Sequence, residues 1–313
     1  MEIKRIEKPK IEFYKRRTFS EKVTATFDFV RENWRTIFKY VSYLVIPLCL
    51  LQAVSFDAFM GNYFNALDAA ALDDVPDGAG VIVSSYLGTI VCALVGYALV
   101  SGVSSALMMR YNERADRLAG VTYADLKPLL WRNTGRSAVV MLVSALFTVV
   151  AVAAIVGLTI LSPYSLVVTL PLGIALIIPF SLVSPVYIYE RMGIWEAVSK
   201  GYRLGFASWW GVLGFILLLT IIVQIITSIA FIPFYVLMMV KMVLGMQGDA
   251  AASSPWLVVG NFLSSAAMAY LSYLSMALMF IGLSYLYSHM AEKVDGVTVD
   301  QGIEEFESLN TES

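Results

Sequence analysis

The chain is expected to be an all-α integral membrane protein with six transmembrane helices arranged as three hairpins, and three observations predict this. First, 58% of its 313 residues are hydrophobic, only 15% are charged and the mean hydropathy is +0.73; ordinary soluble domains carry about 25% charged residues. Second, residues 137–189 and 204–240 contain no charged side chain, and a hydrocarbon core about 30 Å thick takes roughly 20 apolar residues as helix. Third, 21 of the 22 Lys and Arg fall in 1–17, 22–39, 110–136, 191–203 and at Lys293, leaving only Lys241 elsewhere. Because Lys and Arg beside spans are retained in the cytoplasm, both termini are expected there.

Taken in order, residues 1–18 read as a basic cytoplasmic arm with seven cations. Each cation near an anionic leaflet contributes about 1 kcal/mol, so anionic lipid headgroups are its expected partner. Residues 18–41 open on a capping-box pattern, Thr18 with Glu21, and set Val23, Phe27, Val30, Trp34, Phe38 and Val41 at helical spacing. This predicts an interfacial amphipathic helix before span 1, residues 38–56. The 40 or so residues ahead of Ala53-Val54-Ser55 argue for a retained span over a cleaved signal peptide. The segment 57–80 holds five Asp and no cation, as an external loop should.

Span 2, 81–108, places Gly88, Cys92 and Gly96 every four residues, a row that predicts close helix packing. Cys49 and Cys92 both lie in apolar runs and read as small packing residues. Residues 121–136 predict a second interfacial helix, short or kinked at Pro128, with Trp131 at its seam before span 3, 138–161. A tight external turn at 162–165 leads to span 4, 166–188, which contains Pro171, Pro179 and Pro185. Each proline removes a backbone donor and bends its helix.

The stretch 190–210, ERMGIWEAVSKGYRLGFASWW, repeats Ile194, Val198, Tyr202 and Phe206 every four residues and sets Glu196, Lys200 and Arg203 on another face. That pattern predicts a third amphipathic helix on the inner surface. Trp195, Trp209 and Trp210, with Trp34 and Trp131, are the expected interfacial anchors, because indole rings prefer the headgroup level. Span 5 is 211–232. After Pro233, the run 234–246 reads either as an external interfacial helix or as an extension of that span. Span 6, 257–287, carries Asn261 and several serines. The membrane domain is thus 19–290, and 291–313 forms an acidic tail expected to be disordered, with a protein partner as its alternative use.

Residues 189–219, YERMGIWEAVSKGYRLGFASWWGVLGFILLL, resemble the membrane-domain family named for its association with glycerophosphoryl diester phosphodiesterases. Glu190, Gly193, Glu196-Ala197, Arg203-Leu204 and Trp209 carry the likeness, and residues 29–48 are more loosely similar to the family's first span. The resemblance implies a polytopic fold in a bacterial cytoplasmic (inner) membrane. It implies no catalysis, since the barrel that supplies the phosphodiesterase is absent.

The residue inventory points the same way. Apart from Lys39 at the cytoplasmic edge of the first, the six predicted spans contain no Asp, Glu, Lys, Arg or His, so neither a metal cluster nor an ion-coupled carrier is expected at membrane depth. No cofactor, catalytic or metal site and no nucleic-acid binding is expected from a chain of net charge −2 whose cations topology already explains. Two site groups remain. Pro171, Pro179, Pro185, Gln224 and Asn261 could form a kinked cleft for an uncharged or amphiphilic molecule. Glu190, Glu196, Arg203 and His289 could converge as a cytoplasmic polar cluster. The expected function is therefore a non-enzymatic membrane component that organises lipids or partner proteins, with an amphiphile carrier as the alternative.

Overall fold

The computed structural model describes residues 9–71, 79–246 and 254–298. They form eight α-helices and one 3-10 turn, with no strand among the described residues: α1 Phe19–Ala71, α2 Ala79–Glu113, α3 Tyr123–Leu161, α4 Leu166–Phe180, α5 Val183–Glu190, α6 Ile194–Phe206, α7 Trp209–Met246 and α8 Pro255–Val294. Six helical stretches are long and apolar enough to cross a membrane, with α4 and α5 counting together as one. The protein is a polytopic membrane protein by that criterion.

The helices run past several predicted boundaries. α1 is continuous from Phe19 to Ala71, so the segment expected as a separate surface helix and part of the expected external loop belong to one rod. Thr18 and Glu21 start it with reciprocal hydrogen bonds, 3.4 Å from the Glu21 amide to the Thr18 hydroxyl and 2.7 Å from the Thr18 amide to the Glu21 carboxylate. Nothing stops it before the predicted span, because 19–46 contains neither Gly nor Pro. α3 likewise runs unbroken through Pro128, which lies in its second turn and removes a single ladder bond. The run 234–246 continues α7 beyond Pro233. Only α6 is a separate short helix, as expected. The acidic tail beyond residue 298 and the first eight residues of the arm lie outside the described residues.

Long α1 and α2 pack as an antiparallel pair, as do α7 and α8, but α3 packs on α2 and meets α4 sparingly. α8 is the hub, touching α1, α2 and α7 along its length and α5 and α6 at its end. The end of the bundle where α1 begins and α8 finishes is termed basal. There the core is densest: Phe29, Tyr111, Leu126, Leu130, Tyr285, Leu286 and Tyr287 are all buried, and α8 is buried on every face from Phe280 to Glu292. Towards the distal end α3, α4 and α7 show Leu, Val and Ile outward, the pattern of helices whose solvent is lipid. The small-residue row of α2 packs as expected: Gly88 abuts Ser55 of α1, and Gly96 lies under the Tyr273 ring of α8.

Candidate functional site

The broken fourth span is the local feature on which the basal end is built. α4 stops at Phe180, two residues form a turn, and α5 begins at Val183. Pro179 has no N–H, so the Ala175 carbonyl four residues earlier loses its helical donor. The Trp209 indole N–H donates to that carbonyl at 3.1 Å. Trp209, expected as an interfacial anchor, thus satisfies the backbone group that the proline frees. The opposing helix fits the break closely. Gly201 and Gly205, one turn apart on α6, face Val183 and Pro179, where an added Cβ would come within 2.8 Å and 2.5 Å. The buried face of α6 is Ala197, Gly201, Leu204 and Gly205, while the bulky residues read as its apolar face are half-buried or, for Phe206, exposed. Small residues win this face because they let two backbones approach.

This packing corrects the predicted cleft. Pro179 is buried under α6, Pro185 is buried in α5 and Pro171 is exposed on α4. Gln224 faces elsewhere, into a shallow groove of about 460 Å³ along α7 with Ser228 and Ile225. Asn261 lies on a different seam, where its amide donates to Asp57 of α1 at 3.1 Å and Ser265 donates to the same carboxylate oxygen. The five residues do not meet. Asp57 itself was missed as a span residue, because the apolar run appeared to end at Phe56; it enters the bundle only because α1 continues. Below it, the Tyr273 hydroxyl directs its one proton between Gln52 Oε1 at 2.5 Å and the Cys92 carbonyl oxygen at 3.1 Å, and the Ser42 and Tyr270 hydroxyls lie 2.6 Å apart. These polar groups pair across α1, α2 and α8, although the Asn261 side-chain oxygen is buried without a hydrogen-bond partner.

The basal polar residues converge only in part. α5 ends at a left-handed Arg191 (φ 56°), and Arg136 of α3 caps it by donating to the carbonyls of Tyr187 and Met192, both at 2.8 Å, with its guanidinium 3.7 Å above the Tyr187 ring. A cation on the last carbonyls of a helix is favoured by the dipole. Glu190 then receives the Tyr287 hydroxyl at 2.7 Å and the Lys200 ammonium at 2.6 Å. Lys200 also reaches Asp295 at 2.7 Å, and Arg203 meets the other oxygen of Asp295 at 2.7 Å. Burial alone would lower the Lys200 ammonium, but its hydrogen bonds and charge pairing with Asp295 and Glu190 outweigh that and hold it above the ordinary lysine value. Glu196 takes no part; its carboxylate accepts from its own Gly193 amide at 3.0 Å and starts α6.

His289 is reached from the arm. The Arg17 amide donates to His289 Nδ1 at 2.9 Å, and the Arg17 guanidinium turns back onto the Phe13 and Glu12 carbonyls. Its burial pulls the Arg17 guanidinium below the ordinary arginine value. Phe13 inserts against Tyr189, Tyr285 and Tyr287, of which Tyr189 and Tyr287 stack 5.6 Å apart. Lys10 donates to the carbonyls of Asn112 and Arg114 at the end of α2. Residues 10–17 are thus a strap across the basal end. Its signal in the sequence is Ile11, Phe13 and Tyr14, apolar and aromatic residues set inside a basic run.

One test isolates the link between the proline and the tryptophan. Trp209→Phe leaves the Ala175 carbonyl without a donor and is expected to destabilise the protein by about 1–3 kcal/mol. In a Pro179→Ala background residue 179 regains an N–H, so the same change is expected to cost less. A thermal-denaturation double-mutant cycle checks this, and strict additivity would refute the pairing.

Among the described residues, no three His, Cys, Asp or Glu side chains are placed to hold a metal ion. Comparison of the chain with protein-family models, with curated proteins and with solved structures finds no match in any of the three.

Proposed function

We propose that the protein is a non-enzymatic component of a bacterial cytoplasmic membrane that organises lipids or partner proteins at the inner face, with its basal end in the cytoplasm. The observation that carries this reading is the closed break of span 4. Where a carrier would keep its kinked helix free to line a path, α6 fills the bend with Gly201 and Gly205 and is tied down by Glu190, Lys200 and Asp295. The helix so fixed presents Trp195 and Phe206 outward, 64% and 52% exposed, as a surface for headgroups or a partner helix.

The groove beside Gln224 and Ser228 supports a second reading, an amphiphile-binding protein that uses the lipid-facing side of α7. Proteoliposomes separate the two. The organising role predicts that a fluorescent amphiphile equilibrates no faster than in protein-free vesicles, while lipids recovered with the purified protein differ in composition from the bulk membrane. Faster equilibration that Gln224→Leu abolishes would replace it with the carrier.

A further inference from the structure

Cations gather where the first turn of α1, the first turns of α7 and the end of α8 meet, with the Arg17 amide bonded to His289 Nδ1 and the Arg16 guanidinium to the Glu292 carbonyl. Lys22, Lys293, Arg17 and Arg16 are the charges that act most strongly on the His289 ring, and all four are cations. Lys22 is the unusual member. It is 5% exposed, yet its ammonium forms no ion pair with a carboxylate among the described residues. It rests instead over the rings of Phe19 and Phe215, 5.9 and 5.7 Å from their centroids, with Lys293 near enough to repel it.

Among the described residues, none of the nearby carboxylates pairs with Lys22. Glu21 accepts from Thr18, Glu292 from the amide and hydroxyl of Thr298, and Asp295 holds Lys200 and Arg203. Cation–π contacts attract an ammonium but do not neutralise it, and a buried charge without an anion is unfavourable. Because His289 Nδ1 accepts the Arg17 amide, the neutral ring carries its proton on Nε2 and offers a further donor. Phe215 is one and a half turns from Trp209 and from Trp210, which is 78% exposed, so the cluster lies where tryptophans place the headgroup layer.

We propose that Lys22, Lys293 and the His289 Nε2–H form a binding site for the phosphate of an anionic lipid headgroup. A phosphate oxygen supplies the counter-charge that Lys22 lacks and accepts from His289, while the acyl chains run along the apolar surface of α7. Free inorganic phosphate has the same binding chemistry; the position beside an apolar span and two tryptophans favours the lipid. The inference deepens the lipid-organising reading and rests on it.

The test uses the full chain purified in neutral detergent, with its thermal midpoint titrated against phosphatidylglycerol, phosphatidylcholine and inorganic phosphate. Phosphatidylglycerol is expected to raise the midpoint, and the other two are expected to leave it unchanged. Lys22→Met, which keeps the aliphatic stem between the rings, should weaken the lipid response about tenfold while the lipid-free midpoint stays equal or rises, since an unneutralised charge is removed. Lys293→Gln, at an exposed position, should weaken the response without touching the core, whereas Lys15→Gln in the arm should leave it intact. If both cluster variants titrate like wild type, the site is wrong although the lipid reading stands. No response of the wild type to phosphatidylglycerol removes both. A response to inorganic phosphate as strong as to the lipid overturns the lipid assignment.

Discussion

Gly205→Val is expected to lower the stability of the protein by about 3 kcal/mol or more, at the upper end of what overpacking costs. A Cβ at this position lies 2.5 Å from Pro179 Cα and 2.6 Å from Pro179 Cβ. Neither atom is the tip of a flexible side chain, and the turn behind them is backed by fully buried Leu182 and Val183. The backbone of α6 or α4 must therefore move, and movement of α6 strains the Lys200 contacts and the Trp209 hydrogen bond together. Thermal or denaturant unfolding in detergent measures the loss, and limited proteolysis near residue 207 should report the unseated helix. Gly157→Ala on α3 is the control. A Cβ there meets nothing within 4 Å, so the change is expected to be neutral or to stabilise by up to about 1 kcal/mol through helix propensity. Equal midpoints for the two variants would refute the packing of α6 into the break.

The second large effect is expected from Lys200→Met. Lys200 bridges Glu190 and Asp295, and the three side chains are only 20%, 17% and 16% exposed. Removing the cation leaves two partly buried carboxylates with weaker support, the Tyr287 hydroxyl for one and Arg203 for the other. Breaking a fully buried pair costs about 3–5 kcal/mol; residual solvent access reduces this to about 2 kcal/mol.

The pH dependence has a definite sign. A lysine held above its ordinary value of 10.5 contributes stability that is fully present below that value and is lost as pH rises through the higher folded-state value. The stability gap between wild type and Lys200→Met should thus be flat from about pH 6 to about pH 9 and shrink only in strong alkali. A gap that appeared only above the ordinary lysine value would contradict the ion-pair assignment.

The class of the protein and its candidate spans are written in residue composition, because transfer into hydrocarbon is a property of a segment and needs no knowledge of its neighbours. Helix starts were legible on the same grounds: the Thr18–Glu21 box depends on local backbone geometry alone. Helix ends were less so. A change from apolar to polar sequence marks a boundary at Phe56 and again before residue 138, yet α1 continues to Ala71 and α3 runs through Pro128 and Gly135, since a change of polarity does not by itself interrupt the backbone hydrogen-bond ladder.

What only the tertiary structure decided is which polar groups meet. Asp57 joins Asn261 and Ser265 across more than two hundred residues, and the Ala175 carbonyl freed by Pro179 is answered by an indole beyond the next turn. Glu190 and Arg203 converge through Lys200 and Asp295 while Glu196 stays with its own helix. The sequence by itself determined a six-span helical membrane protein with a helix within 190–210, whose bounds the structure sets at Ile194–Phe206. Its apolar periodicity could not show that the small face of that helix, not the bulky one, is buried, because in lipid large side chains gain little by meeting one another and close approach of backbones decides the packing.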